Sequence, residues 1–505
     1  MNGKDGQGKS GRISRRLFIG AALGAVSSPV WASPPARSLR PIMRPDMLGV
    51  RKIPAADTLV GKARLDARVA YSVADVTSGL VLEGRDSQIG VPPASVAKSI
   101  TALYAMDRLG AEYRFVTRLI GTGPVEGGVL KGDLVLAGGG DPSLDTDALA
   151  DMASALKAGG VHSVSGRFLV WDGALPYVPT VDPDQPDHVG YSPSVSGLNL
   201  NFNRVHFEWR KKGKAWSVTM DARTKKYRPD VTVSRMRIAD RATPVYIYAD
   251  RNGRDEWSVA AGALGNGGAR WLPVRKPALY AGEVFQTLAR SHGIVLKNAE
   301  LVTSLPNGRA LVRHESDQLS DLLKDMLKYS TNLTAEVVGL MASGSAARTA
   351  QPLVASSAAM NQWAAARYGV TDMALRDHSG LSGDSRVTSG NLVSVLTGDG
   401  VKAQLRPLLK TIGLRDEQRR VDKNHPIKVQ AKTGTLNFVS GLAGYMTGPD
   451  GTDLAFAIFA ADVDRRAALS EAERERPQGA KSWNGRAKRL QQALIERWGA
   501  LYSTA

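Results

Sequence analysis

Three short groups of residues carry hydroxyl, amine and amide in combinations suited to acyl transfer. The first is Ser95-Val96-Ala97-Lys98, inside the stretch PPASVAKSITALYAM from Pro92 to Met106. A serine hydroxyl is a poor nucleophile until a base takes its proton. On a helix, residues three apart share a face about 4.5 Å apart along the axis, so Lys98 is spaced to be that base. Lysine works as a base only with a lowered pKa. The positive end of a helix would lower it, and so would a second cation nearby. The second group supplies such a cation: Lys432-Thr433-Gly434-Thr435 holds the only Lys-Thr-Gly of the chain. On a strand edge, Gly434 would let a substrate lie close against backbone. Lys432 and the Thr433 and Thr435 hydroxyls would then hold an anionic group such as a terminal carboxylate. The third group is Ser330-Thr331-Asn332, between two expected helices, where a hydroxyl and an amide can point into a cleft.

None of these spacings is specific alone. Ser154-Ala155-Leu156-Lys157 repeats the first, while Ser389-Gly390-Asn391 and Ser482-Trp483-Asn484 repeat the third. Neighbouring residues separate them. Ser154 and Lys157 fall on a helix with no other catalytic candidate beside them in sequence. Ser389 reads as a helix cap and Ser482 belongs to a terminal amphipathic helix. Ser330 lies between the other two motifs, at a helix–helix corner. The chain has no cysteine, which excludes thiol nucleophiles and thiolate metal sites. None of its seven histidines stands in a His-Glu-x-x-His spacing or beside a Gly-x-Ser-x-Gly elbow, so the sequence calls for no metal and no cofactor.

The elements that must position these groups are legible in outline. At 505 residues the chain is long enough for roughly two to four domains. With 43% hydrophobic and 23% charged residues it is globular in composition. Arg15-Arg16 precedes an apolar run from Leu17 to Trp31, and Val30-Trp31-Ala32 is an acceptable cleavage site. Residues 1–32 therefore read as a secretory signal resembling a twin-arginine one, with Gly20 where a lysine is usual. The run is too short to span a bilayer. The expected mature protein is exported, periplasmic and soluble, cleaved near Ala32.

Residues 33–60 read as a loosely held lead-in, followed by a hairpin from ARVAYSVADV through TSG to LVLEGRDSQ. Pro92-Pro93 keeps the chain extended before the helix of Ser95, where Val96, Ile100 and Leu103 mark the inward face. From about Tyr113 to Pro277, strand-like pieces alternate with Gly, Pro and Asp turns. GGGDPSL (138–144) reads as a turn before a helix, because no Gly-Lys-Ser/Thr follows it as a phosphate loop requires. Helices return with ALYAGEVFQTLARSHG and with SDQLSDLLKDMLKYS, whose Leu319, Leu322, Leu323, Met326 and Leu327 make an apolar stripe with Ser316 as its N-cap. Strands then come from IKVQAKTGTLN, LAGYMTG and DLAFAIFAADV. A basic amphipathic helix, AKSWNGRAKRLQQALIERWG, closes the chain and is expected to pack on the protein's own sheet. The pattern is α+β. A first domain is split into residues 33–114 and 278–505, with a β-rich insertion of one or two small domains at 115–277.

The net charge is +18, of which residues 1–32 carry +4. The basic residues read as scattered along the chain, and the address is wrong for nucleic acid. An exported basic protein instead meets anionic wall polymers or lipid headgroups, and peripheral contact with either is left open.

The order Ser-x-x-Lys, Ser-x-Asn, Lys-Thr-Gly behind a signal peptide resembles the penicillin-binding proteins and serine β-lactamases. More closely, the chain resembles the class C, low-molecular-mass penicillin-binding proteins, the serine D-alanyl-D-alanine carboxypeptidases and endopeptidases. Ser95 and Ser330 are 235 residues apart, where that family inserts extra domains. GDLVLAGGGDPSL resembles the start of its insertion, RDHSGLSGDSRVT (376–388) its Asp-x-Ser-Gly-Leu-Ser stretch, and AKTGTLNFVSGLAGYM its third motif with the strand behind. Thr331 stands where many members have Asp.

The resemblance implies a transpeptidase-type domain, an antiparallel sheet flanked by helices, acting on peptidoglycan stem peptides. It implies that Ser95 attacks the carbonyl between two D-alanines and that Lys98 takes its proton. Ser330 relays a proton to the leaving amine, and Asn332 orients Lys98 and the substrate amide. Lys432, Thr433 and Thr435 hold the terminal carboxylate, and the N–H groups of Ser95 and Thr435 form the oxyanion hole. β-Lactam antibiotics would acylate Ser95 and stay. Two other readings keep the fold. A serine β-lactamase needs rapid deacylation, for which the sequence offers no evident Glu, and Ser330 stands where class C β-lactamases have Tyr. A non-catalytic wall-binding protein would not need the motif residues intact.

Overall fold

The computed structural model describes residues 53–347, 349–470 and 473–503, so the segment read as a signal peptide lies outside the described residues. Among those residues no helix is long and apolar enough to cross a membrane.

The chain's two ends meet in one six-stranded antiparallel sheet. Its order is Lys410–Thr411, Lys428–Leu436, Val439–Thr447, Asp453–Ala461, Arg68–Asp75, Val81–Arg85. Alternation of side chains along a strand explains how this sheet carries a core on each face. In Asp453–Ala461, Leu454, Phe456, Ile458 and Ala460 join Val69, Tyr71 and Val73 beneath the terminal helix Ala480–Tyr502. Ala455, Ala457, Phe459 and Ala461 face the opposite, helical layer. A strand covered on both faces reads as a continuous apolar run, as DLAFAIFAA does. The terminal helix packs on its own sheet through Trp483, Leu490, Leu494, Ile495 and Trp498. The end of the stretch read as a loose lead-in is instead a helix, Ala56–Ala63, whose Ala56 joins this same core.

The opposite layer is built around the helix Lys98–Leu109, which is buried along most of its length because other helices surround it. Leu319–Tyr329 turns its leucine stripe toward it, and Asn332–Ala347 and Leu353–Tyr368 pack beside it. Ser316 does not cap Leu319–Tyr329, whose N-cap is Gln318. Its Oγ accepts from the Phe115 N–H at 3.0 Å and donates to Asp317 O, so it ties together the two crossings between domains.

The insertion has its own core. A five-stranded sheet runs Ala299–Val302, Phe168–Trp171, Leu134–Ala137, Val116–Gly121, Arg309–Glu315. The helices Thr146–Ala158 and Pro277–Ser291 pack on one face of it, and two three-stranded sheets extend the same core. The return to the first domain, expected at 278, therefore falls near Ser316. Helix Pro277–Ser291 buries Tyr280, Val284, Phe285 and Leu288 in the second core, and the strands at 299–302 and 309–315 pair within the inserted sheet. Nor is the charge scattered. Residues 204–276 hold 17 Lys and Arg against 7 Asp and Glu, a net +10 of the chain's +18.

Candidate active site

Ser95 does not stand on a regular α-helix. It sits in a 3-10 turn, Ala94–Ala97, entered through Ala94 at φ 47°, and the α-helix proper starts at Lys98. With three residues per turn, i and i+3 eclipse each other. The Ser95 Oγ and Lys98 Nζ are accordingly 3.0 Å apart. Ser95 is partly open to solvent, whereas Lys98 is fully buried.

Lys98 makes three hydrogen bonds, the donor capacity of an ammonium. Its Nζ donates to Asn332 Oδ1 at 2.6 Å, to the Ser379 carbonyl at 2.7 Å and to Ser95 Oγ. The first two acceptors never give up a proton, so when Lys98 is neutral its lone pair can face only Ser95. Burial lowers the Lys98 pKa, against the opposing pull of the buried Glu336 and Asp377 carboxyls. The depression expected from a helix end is thus supplied chiefly by loss of water around the amine.

The Ser330 group arrives from another layer. Ser330 ends Leu319–Tyr329 in the left-handed conformation, φ 62° and ψ 42°, with its N–H donating to Met326 O. A side-chain-bearing residue held there costs about 1 kcal/mol, and such strain gathers at functional positions. The next helix begins at Asn332. Lys432 Nζ donates to Ser330 Oγ at 3.0 Å and to its neighbour's carbonyl, Thr433 O, at 2.8 Å. Lys432 is buried, and burial together with the nearby Lys98 lowers its pKa to about 6. An incoming carboxylate would pull that value back up. Along the strand Lys428–Leu436, Lys432 and Gly434 are buried while Thr433 and Thr435 are exposed. The place of the side chain that Gly434 lacks is taken by the protein: a Cβ there would lie 2.7 Å from Pro93 O and 3.1 Å from Val96 Cγ2. Its missing side chain lets the strand close on the Ser95 turn.

Several residues that sequence reading left without a role lie behind this group. Glu336, one turn after Asn332, is fully buried and accepts from the His378 and Ser379 N–H groups at 3.0 and 2.9 Å. Asp377 accepts from the Gly380 and Ser382 N–H groups. Together they fix the loop whose Ser379 carbonyl holds Lys98. Gly380, at φ +73°, lets that loop pass the Ser95 turn, since a Cβ there would lie 2.0 Å from Ala94 O. From the insertion, the Tyr191 carbonyl accepts from Asn332 Nδ2 at 2.6 Å. The signal for Glu336 was present: it is the one charged residue in the helix start NLTAEVVGLM, set among Leu333, Ala335, Val337 and Val338. Glu336→Gln leaves one of the two buried loop N–H groups facing an amide donor. It should lower unfolding stability by about 1–3 kcal/mol, readable as a shifted denaturant midpoint.

Ser154, which has the same spacing to a lysine, is exposed on Thr146–Ala158, where no hydrogen bond joins it to Lys157.

The fold is that of the penicillin-binding proteins: penicillin binding protein 4 from Haemophilus influenzae superposes with a TM-score of 0.71 at 20% identity, covering 87% of this chain and 99% of that one. Residues 55–477 match the model of the D-Ala-D-Ala carboxypeptidase 3 (S13) family, and the chain belongs to that family. Among curated relatives, a D-alanyl-D-alanine carboxypeptidase from an Actinomadura species is 27% identical over 76% of each chain. The D-alanyl-D-alanine carboxypeptidase DacB of Haemophilus influenzae is 24% identical over 78% of this chain and 85% of its own.

Proposed function

We propose that this protein is an exported serine D-alanyl-D-alanine carboxypeptidase that trims peptidoglycan stem peptides through an acyl-enzyme on Ser95. The observation that carries this reading is the 3.0 Å approach of Lys98 Nζ to Ser95 Oγ, with the two other Lys98 hydrogen bonds fixed on Asn332 and Ser379. Ser95 Oγ attacks the carbonyl carbon between the two D-alanines and its proton passes to Lys98. The oxyanion is held by the N–H groups of Ser95 and Thr435, a contribution often worth about 3 kcal/mol. The C–N bond breaks as Ser330 passes a proton to the departing amine, and the proton held by Lys98 restores the Ser330 hydroxyl. Water then adds to the ester and gives its proton to the now neutral Lys98, which returns it to Ser95 Oγ as the ester C–O bond breaks. Lys432, Thr433 and Thr435 bind the terminal carboxylate. Asn332 keeps one amide hydrogen beyond the one given to Tyr191, enough to meet a substrate carbonyl. No step calls for a metal. β-Lactams acylate the same serine, and the positive mature chain makes peripheral contact with an anionic surface outside the cytoplasm.

The test is release of D-alanine from a soluble peptide ending in D-Ala-D-Ala, with benzylpenicillin as inhibitor. Penicillin-sensitive release is the expected result, and a cross-linked peptide dimer in the same assay reads endopeptidase activity. Sustained hydrolysis of the β-lactam itself would make the protein a β-lactamase. Neither hydrolysis nor acylation would leave a wall-binding protein.

A further inference from the structure

Within the insertion, the strands Ser234–Ala239, Tyr246–Arg251 and Arg254–Ala260 form a small sheet with Arg254–Ala260 in the middle. One face supplies Met236, Ile238, Tyr246, Tyr248, Trp257 and Val259 to the insertion's core. Alternation along the strands sends Arg235, Arg237, Arg251 and Arg254 to the other face, with Glu256 and Ile247. Arg251 and Arg254 stand directly opposite each other across the hairpin. Like charges so placed destabilise a sheet. Among the described residues none of these four arginine side chains has an ion-pair or hydrogen-bond partner, whereas Arg223 in the same insertion is tied to Asp221 and Glu208.

This face sets four arginines against a single carboxylate, Glu256 opposite Arg235, and so carries an uncompensated positive charge, and the guanidinium fork matches carboxylates in two-point contacts. A sheet surface has no pocket for a small ion and suits an extended polymer. A face that enters lipid presents several large apolar side chains, while here Ile247 is the sole one on the strands' outer side. We infer that this face docks peptidoglycan through the carboxylates of its stem peptides, which rests on the activity proposed above. A second attachment to the polymer raises the local concentration of cleavable peptide ends without changing the chemistry at Ser95.

The mature protein is compared with a variant carrying Arg235→Gln, Arg237→Gln, Arg251→Gln and Arg254→Gln, and with one carrying the same four changes to Lys. Co-sedimentation with purified sacculi is measured at low and high salt, beside binding to phosphatidylglycerol vesicles and D-alanine release from a soluble peptide. Loss of four exposed pairings should weaken sacculus binding about tenfold or more. High salt should weaken the native protein likewise, and the Lys variant should keep most of its binding. Release from the soluble peptide should be equal in all three, which also reports that the variants fold. Unchanged sacculus binding in the Gln variant overturns the inference, as does failure of the native protein to sediment. Loss confined to vesicle binding overturns it in favour of a lipid partner. Absence of D-alanine release from the native protein would sink the proposed activity instead, a readout separate from sedimentation.

Discussion

Lys98→Met should leave a folded protein that benzylpenicillin labels about a thousandfold more slowly, within the range that a positioned general base contributes. Methionine fills much of the lysine's volume, so the helix around position 98 keeps its packing. Unfolding stability should fall by about 1–3 kcal/mol, because the buried Ser379 carbonyl loses its donor, while the protein still folds. What is lost is a base whose other directions are committed to Asn332 Oδ1 and Ser379 O. The pH dependence separates this role from mere packing. Only the neutral amine can take the Ser95 proton, so acylation should rise with pH until Lys98 has titrated. Burial brings that limb below the ordinary lysine range. In Lys98→Met the limb should vanish with the rate. Normal labelling, or a slow rate that keeps the same pH limb, would remove Lys98 from the mechanism.

Ser95→Ala should abolish covalent labelling altogether while leaving the fold intact, since the substitution removes only one partly exposed hydroxyl. Its effect has no residual rate to measure, because without Oγ no ester can form. Ser154→Ala should label at the rate of the native protein. The two serines have the same sequence spacing to a lysine. They differ in that Ser95 lies in a tight turn against a buried amine and Ser154 on the exposed side of a regular helix. Mass spectrometry after timed exposure to penicillin reads both. Loss of labelling in Ser154→Ala alone would mean the wrong motif had been chosen.

The motifs were legible because each is local. Ser95 with Lys98, Ser330 with Asn332, and Lys432 through Thr435 are short runs, and their shared order carried more than any one of them. Strands covered on both faces, such as Asp453–Ala461, were equally plain as apolar runs. What escaped depends on tertiary partners. The amphipathic pattern of Pro277–Ser291 gives a helix but not the core it packs on, and that moved the domain boundary by nearly forty residues. The Lys-Thr-Gly run suggests close approach at Gly434, but only the tertiary structure shows that Pro93 O fills the place of its missing side chain. Glu336 and Asp377 bind backbone N–H groups rather than each other's side chains, a relation that no residue spacing announces. The outward arginines needed strand register to be gathered on one face.

The most direct test of the account is the intact mass of the native protein after incubation with benzylpenicillin, followed by peptide mapping of the adduct. The account predicts one added penicilloyl group, stable over the measurement, on the peptide that contains Ser95. An adduct on any other serine, or hydrolysed drug with no adduct, would contradict it.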